Sequence, residues 1–202
     1  MAHIVPTKAN LINTKKSLEL ARLGYDLMDR KRNILVREMM QLIDSAKEIQ
    51  TQIGQVYAAA FDALKRATLN LGSLARFVCA VPVADDIEID YRSVMGVELP
   101  KVTVAPQCVD VRAFGFLETN EDFDEACRCF AEVKTLTASL SEIESSICRL
   151  ADAVKKTQKR SNALSNIMIP RFEETVKSIS EALDEKERED FSRLKVVKRQ
   201  KK

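Results

Sequence analysis

The feature that most limits what this chain can become is a run of inward-type residues spaced alternately by three and four. It starts at Leu18 and continues through Ala21, Tyr25, Met28, Arg32, Leu35, Met39, Leu42, Ala46, Ile49, Ile53, Val56, Ala60, Ala63, Ala67, Asn70 and Leu74. A mean spacing of about 3.5 residues falls short of the helical turn, so the stripe keeps facing a partner only if the two helices wind round each other left-handedly. Arg32 and Asn70 are the poor seam residues in this run. Gly24 and Gly54 weaken such a helix slightly without needing to break it.

A second periodic segment lies near the other end of the chain. Asn120 suits a helix cap, and Glu121 and Asp122 suit the positive end of the helix dipole ahead of Phe123. The seam then reads Leu136, Leu140, Ile143, Ile147, Leu150, Val154, Thr157, Ser161, Leu164 and Met168. It steps by four to Phe172 and again to Val176 before Ile179 and Leu183. An extra step of four is a stutter that locally unwinds a supercoil, and it coincides with Pro170, so a kink is expected there.

Helix breakers separate the two segments. No proline occurs between Pro6 and Pro82 or between Pro106 and Pro170, whereas Pro82, Pro100, Pro106, Gly96 and Gly115 crowd the middle. Within that middle, Ile87, Ile89 and Tyr91 alternate with Glu88, Asp90 and Arg92, and Val102 and Val104 flank Thr103, which predicts a small β-hairpin or a β-rich loop. The division is therefore a first long helix in 1–74, an insert in 75–120, and a second long helix with a basic tail in 121–202. Helices over 10–74 and 123–197 would be roughly 100 and 110 Å long at about 1.5 Å per residue. Because the insert is short beside them, the second helix must return along the first. The fold class is all-α: a long, antiparallel, left-handed two-helix coiled coil with a hairpin-like insert at its turn end.

Composition excludes several functions. The chain has 202 residues, is 31% charged and only 5% aromatic, and lacks tryptophan, which suits long helices better than a large globular core. The formal charge of +2 gives no bulk attraction to phosphate polymers or anionic membranes, so no nucleic-acid partner is expected. Its segments differ: 11 basic and 7 acidic residues in 1–74, 4 and 7 in 75–120, 17 and 16 in 121–202. The apolar run from Phe77 to Ala84 is too short to cross a bilayer, and the first residues form no apolar leader, so a soluble, intracellular chain without direct membrane insertion is expected.

Cys79, Cys108, Cys127, Cys129 and Cys148 are odd in number and scattered, as reduced thiols would be. His3 is the sole histidine, and no phosphate loop, nucleophile elbow or metal-spaced cluster occurs. Neither a catalytic residue nor a cofactor or metal ligand is expected. The carboxylate pairs Glu173 and Glu174, and Glu187 and Glu189, read as helix-surface charges.

A set of short motifs runs in order along the chain. It begins with Pro6-Thr7-Lys8, Leu11, Lys15, Leu18, Ala21, Gly24, Leu27, Lys31-Arg32, Leu35 and Glu38. It continues through Val94-Met95-Gly96-Val97-Glu98-Leu99-Pro100 and Asp124-Glu125-Ala126. Near the end come Lys156-Thr157, Arg160, Asn162-Ala163-Leu164, Ile169-Pro170, Glu185, Glu187-Arg188-Glu189, Phe191 and Leu194-Lys195. In this order and spacing they resemble the D subunit of the V-type (vacuolar and archaeal type) rotary ATPases. Lys159, Ser161 and Ser165 depart from that family's pattern, where Arg, Val and Glu are commoner.

The resemblance implies a noncatalytic rotor shaft, the central stalk, on the cytoplasmic side of a membrane. It would couple ATP hydrolysis or synthesis in a head of alternating catalytic (A-type) and noncatalytic (B-type) subunits to rotation of a membrane ring that moves protons or sodium ions. The terminal end would enter the head; the other end would join the small F subunit of the stalk and the funnel-shaped subunit on the ring. Without the resemblance, the alternative is a free-standing coiled-coil scaffold or membrane-surface adaptor.

Three groups of residues carry specific expectations. Arg32, at an inward position, needs a partner. In a register that pairs the helix ends it falls near Pro170, where it would either reach the Asn166 carbonyl, Glu173 or Glu174 and fix register, or snorkel into water. Met95, Gly96 and Val97 form a tight turn suited to partner contact. Lys195, Lys198, Arg199, Lys201 and Lys202 carry five positive charges without an acid, and the resemblance assigns this tail to the inner wall of the head.

Overall fold

The computed structural model of the chain describes residues 5–73, 86–105 and 119–200. Leu74, His3, Cys79, Cys108, Pro82, Pro106, Gly115, Lys201 and Lys202 lie outside the described residues, as does the apolar run at 77–84.

The first helix, α1, spans Lys8–Leu71 without interruption at Gly24 or Gly54. Thr7 caps it: its Oγ1 accepts from the Asn10 N–H at 3.2 Å and its carbonyl from the Leu11 N–H at 3.0 Å. At the other end the Gly72 N–H donates to the Thr68 carbonyl at 2.9 Å, and Gly72 has φ 75°, a backbone state that glycine enters without steric cost.

Helix α2 spans Glu121–Ala163. The Asn120 carbonyl accepts from the N–H groups of Phe123 and Asp124, and Glu121, Asp122 and Asp124 occupy the first turn, where negative charge opposes the dipole. Five residues, Leu164–Met168, then form a π-helical turn in which the Ile169 N–H donates to the Leu164 carbonyl. Helix α3 follows directly, Ile169–Gln200. The widened turn falls where the sequence places its extra four-residue step. The physical reason is Pro170: it brings no N–H and its ring crowds the carbonyl four residues back, so an ordinary turn does not fit there.

Between α1 and α2 lies a two-stranded antiparallel sheet, β1 (Ile87–Val94) and β2 (Val97–Val104). The register pairs Val94 with Val97, Tyr91 with Pro100, Ile89 with Val102 and Ile87 with Val104. A two-residue loop joins the strands, with Met95 at φ 50° and Gly96 at φ 76°. Two successive positive φ angles give a turn whose twist matches that of the strands. The chain is thus all-α with a small hairpin insert, as the periodicity predicts.

Two compact units can be distinguished, residues 1–34 with 154–202, and residues 35–153. In the first, Lys8 pairs with Glu187 at 2.9 Å and Arg22 with Glu173 at 2.6 Å. In the second, Arg66 pairs with Glu125 at 2.9 Å and Phe61 meets Phe130 edge-to-face at 5.7 Å between centroids. Within each unit, numbers rise along one helix as they fall along the other, so the helices run antiparallel.

Candidate functional site

In the unit of residues 35–153, Leu35 and Ile53 of α1 and Leu150 of α2 are buried. Met39, Leu42, Ile49, Val56, Leu140, Ile143 and Ile147 are half-buried. Toward the Leu71 end of α1, Ala60, Ala63 and Ala67 have no exposed surface, and Phe123, Ala126 and Val133 are buried. Ala67 and Phe123 pack together with Leu71 and Cys127 against them. Small side chains on one helix leave the volume that large ones on the other fill, which is how a core reaches solid-like density. Asn70 is exposed and its amide donates to Asp122 Oδ2 at 2.7 Å, so this poor seam residue sits at the rim.

Reading the second seam from Leu136 misses its start. Phe123, Ala126, Phe130 and Val133 are themselves spaced by three and four, a signal hidden because Thr137 occupies the next heptad position.

In the unit of residues 1–34 and 154–202, Ala21, Thr157, Ser161 and Ile179 are buried and Val154 and Leu164 are half-buried, while Met168 is exposed. Arg32 is half-buried here. Its Nη1 donates to Gln158 Oε1 at 2.8 Å and its Nη2 lies 2.6 Å from Asp29 Oδ1. This corrects the expected partners: the guanidinium does reach the opposite helix, but at Gln158, and Glu173 is taken by Arg22. The reason is register. Lys8 meets Glu187, so residues 188–200 run on past the first pair instead of lying alongside α1, and every position facing α1 moves toward the N-terminus of α2.

The hairpin is fastened along β2. The Val102 N–H donates to Glu142 Oε2 at 2.8 Å, and Arg149 Nη1 donates to the Glu98 carbonyl at 3.0 Å while its guanidinium lies 5.5 Å from the Tyr91 ring centroid. Leu99 and Pro100 are buried. Lys134 grips Asp86 at 2.7 and 3.0 Å, and Arg92 reaches Glu38 of α1 at 3.5 Å. The Lys134 hydrogen bond holds the Asp86 carboxyl below its usual 3.8, against an opposing push from desolvation. Between the hairpin's apolar face and the helices runs an open groove of about 700 Å³, with Tyr57, Phe130, Ile89, Tyr91 and Val102 among its walls. Met95 is exposed at the tip, with Gly96 also exposed and Val97 half-buried.

Lys195, Lys198 and Arg199 are exposed on α3, which stays helical through Gln200, with the Lys195 ammonium 4.6 Å from the Phe191 ring centroid. Glu173 and Glu187 are held in the cross-helix pairs described above, and Glu189 pairs with Arg193 at 3.2 Å. Cys127 and Cys129 are half-buried. Burial and the neighbouring Asp124 push the Cys127 thiol up, away from the reactive thiolate.

Comparison with known proteins finds relatives over nearly the whole chain. The family model for the D subunit of ATP synthase matches residues 10–199. The D subunit of the V-type ATP synthase of Thermotoga neapolitana is 38% identical over 197 residues, 96% of this chain and 97% of that protein. The D subunits of the A-type ATP synthases of Thermococcus gammatolerans and Pyrococcus abyssi are 36% and 37% identical, covering 98% and 96% of this chain and 94% and 93% of theirs. With a seam of helices, a fastened hairpin and these relatives in view, the chain belongs to the family of ATP synthase D subunits.

Proposed function

We propose that this subunit is the noncatalytic central shaft of its complex, carrying rotation between a catalytic head of A- and B-type subunits and a membrane ring that moves protons or sodium ions. The observation that carries the reading is that helices of opposite direction are held together, in each unit, by a buried seam flanked by cross-helix ion pairs. Two helices locked side by side resist twist far better than one solvated helix, because twisting either shears the interlocked side chains of both.

The seam residues Leu35, Met39, Leu42, Ile49, Ile53, Val56, Leu140, Ile143, Ile147, Leu150, Val154 and Leu164 act as the stiffening element, and Arg32 fixes register through Gln158. Met95, Gly96 and Val97 contact a stalk partner, either the small F subunit or the funnel-shaped subunit on the ring; Lys195, Lys198 and Arg199 contact the head. No described helix is long and apolar enough to cross a membrane, which suits a peripheral place on the cytoplasmic side.

Reconstitution tests the reading. Complexes rebuilt in vesicles with the chain should couple ATP turnover to ion movement, and those built without it should hydrolyse ATP, if at all, without ion movement. Equal coupling in its absence would sink the proposal.

A further inference from the structure

The hairpin's two edges are treated differently by the rest of the molecule. Because Val94 pairs with Val97 across a two-residue loop, backbone groups of even-numbered residues in β1 point toward β2, and those of Ile87, Ile89, Tyr91 and Ser93 point away from it. The same alternation makes Glu98, Pro100, Val102 and Val104 the outward positions of β2. At three of them one outward group is provided for: Arg149 binds the Glu98 carbonyl, Pro100 has no N–H to offer, and Glu142 accepts from the Val102 N–H. No such provision exists at β1. Its residues are exposed from Ile87 to Ser93, and the outward groups of Ile87, Ile89 and Tyr91 have no partner among the described residues. Strand edges left bare in this way are templates for another strand unless something blunts them. β1 has neither proline nor bulge, and its apolar side chains line the open groove.

We infer that β1 is a docking edge for an extended segment of another polypeptide in the assembled complex, which adds as a third strand and inserts apolar side chains at alternate positions into the groove over Tyr57 and Phe130. Charge defines the other face of that segment. Glu88 and Asp90 are exposed, and the hairpin from residue 86 to 105 carries four acidic and two basic side chains, so the incoming strand presents lysine or arginine beside Glu88 and Asp90. A second copy of this chain is the poorer occupant, because a two-fold pairing centred on Asp90 sets that carboxylate against its own copy. The inference rests on the shaft reading only for the assembly in which the partner is sought.

Amide hydrogen exchange on the free chain and on the assembled ATP synthase tests it, residue by residue. In the free chain, Glu88, Asp90 and Arg92 should exchange slowly and Ile89 and Tyr91 quickly. In the assembly, Ile89 and Tyr91 should slow by about tenfold or more, giving protection along the whole strand. Ile89→Pro removes one outward N–H without touching the β1–β2 ladder, and should abolish the gain at Tyr91 while the even-numbered amides stay slow. Intact assembly with fast odd-numbered amides overturns the docking edge and leaves the shaft reading standing, whereas failure to assemble at all tells against the shaft. Protection of the odd-numbered amides in the free chain that grows with its concentration assigns the edge to self-association and also overturns the inference.

Discussion

Arg32 stands where the heptad would set an apolar side chain, and it keeps its charge by bonding Asp29 on its own helix and Gln158 on the other. A charged hydrogen bond contributes about 1.5–3 kcal/mol when sheltered. Partial exposure reduces this, so Arg32→Ala should cost about 1 kcal/mol and lower the melting temperature by about 2–4 °C. A double-mutant cycle with Gln158→Ala should return a coupling of about 0.5–1 kcal/mol; additivity of the two changes would mean the bond fixes nothing.

Asp86 offers a second residue-scale test. Its folded carboxyl titrates below the unfolded value of 3.8, so the stabilising contribution of the Lys134 contact is present above 3.8 and is lost as pH falls through the lower, folded value. A carbon-13 titration of the Asp86 carboxyl should therefore show a depressed midpoint, and Lys134→Met should return it toward 3.8. The need for a partner at Arg32 was legible in the sequence, because a charge on a seam is costly. Which partner was not, since that depends on how far two helices slide past each other, and one helix's pattern is nearly unchanged by a shift of about seven residues.

Among the elements, the hairpin was legible as β structure, because the alternation of Ile87, Ile89 and Tyr91 has the two-residue period of a strand. Its turn is less comfortable than it needs to be. Met95 sits at φ 50°, a left-handed state that costs a side-chain-bearing residue about 1–2 kcal/mol and asparagine less. Met95→Asn should therefore stabilise the hairpin by about 1 kcal/mol, seen as roughly fivefold slower exchange at the Arg92 and Leu99 amides.

The seam offers the opposite contrast. Leu150 is fully buried and Leu194 is 67% exposed, so Leu150→Ala should cost about 2–5 kcal/mol while Leu194→Ala changes stability by less than about 0.5. Equal effects in thermal unfolding would mean that burial along the seam does not hold the helices together. The π-helical turn before Pro170 shows where periodicity stops informing: the stutter marks the place, but whether a helix absorbs a misfit by bending or by widening one turn is decided by local packing.

For the molecule as a whole, sequence order made the family recognisable where no single motif did. The matching positions are spread from Pro6 to Lys195, and the family model likewise covers residues 10–199. The C-terminal end is tested at this scale. Removal of residues 195–202 should leave the far-ultraviolet circular dichroism per residue and the melting temperature nearly unchanged, and should lower coupling or assembly modestly. Unfolding of the truncated chain would contradict a peripheral role for the tail. From Asp184 to Gln200 every described residue is exposed, and Glu187 already pairs with Lys8, the first residue of α1. A helical stretch that short holds its form only weakly in water. If the tip enters a head as proposed, its rigidity is borrowed from that sleeve, so that it would be firm inside its housing and would melt when withdrawn.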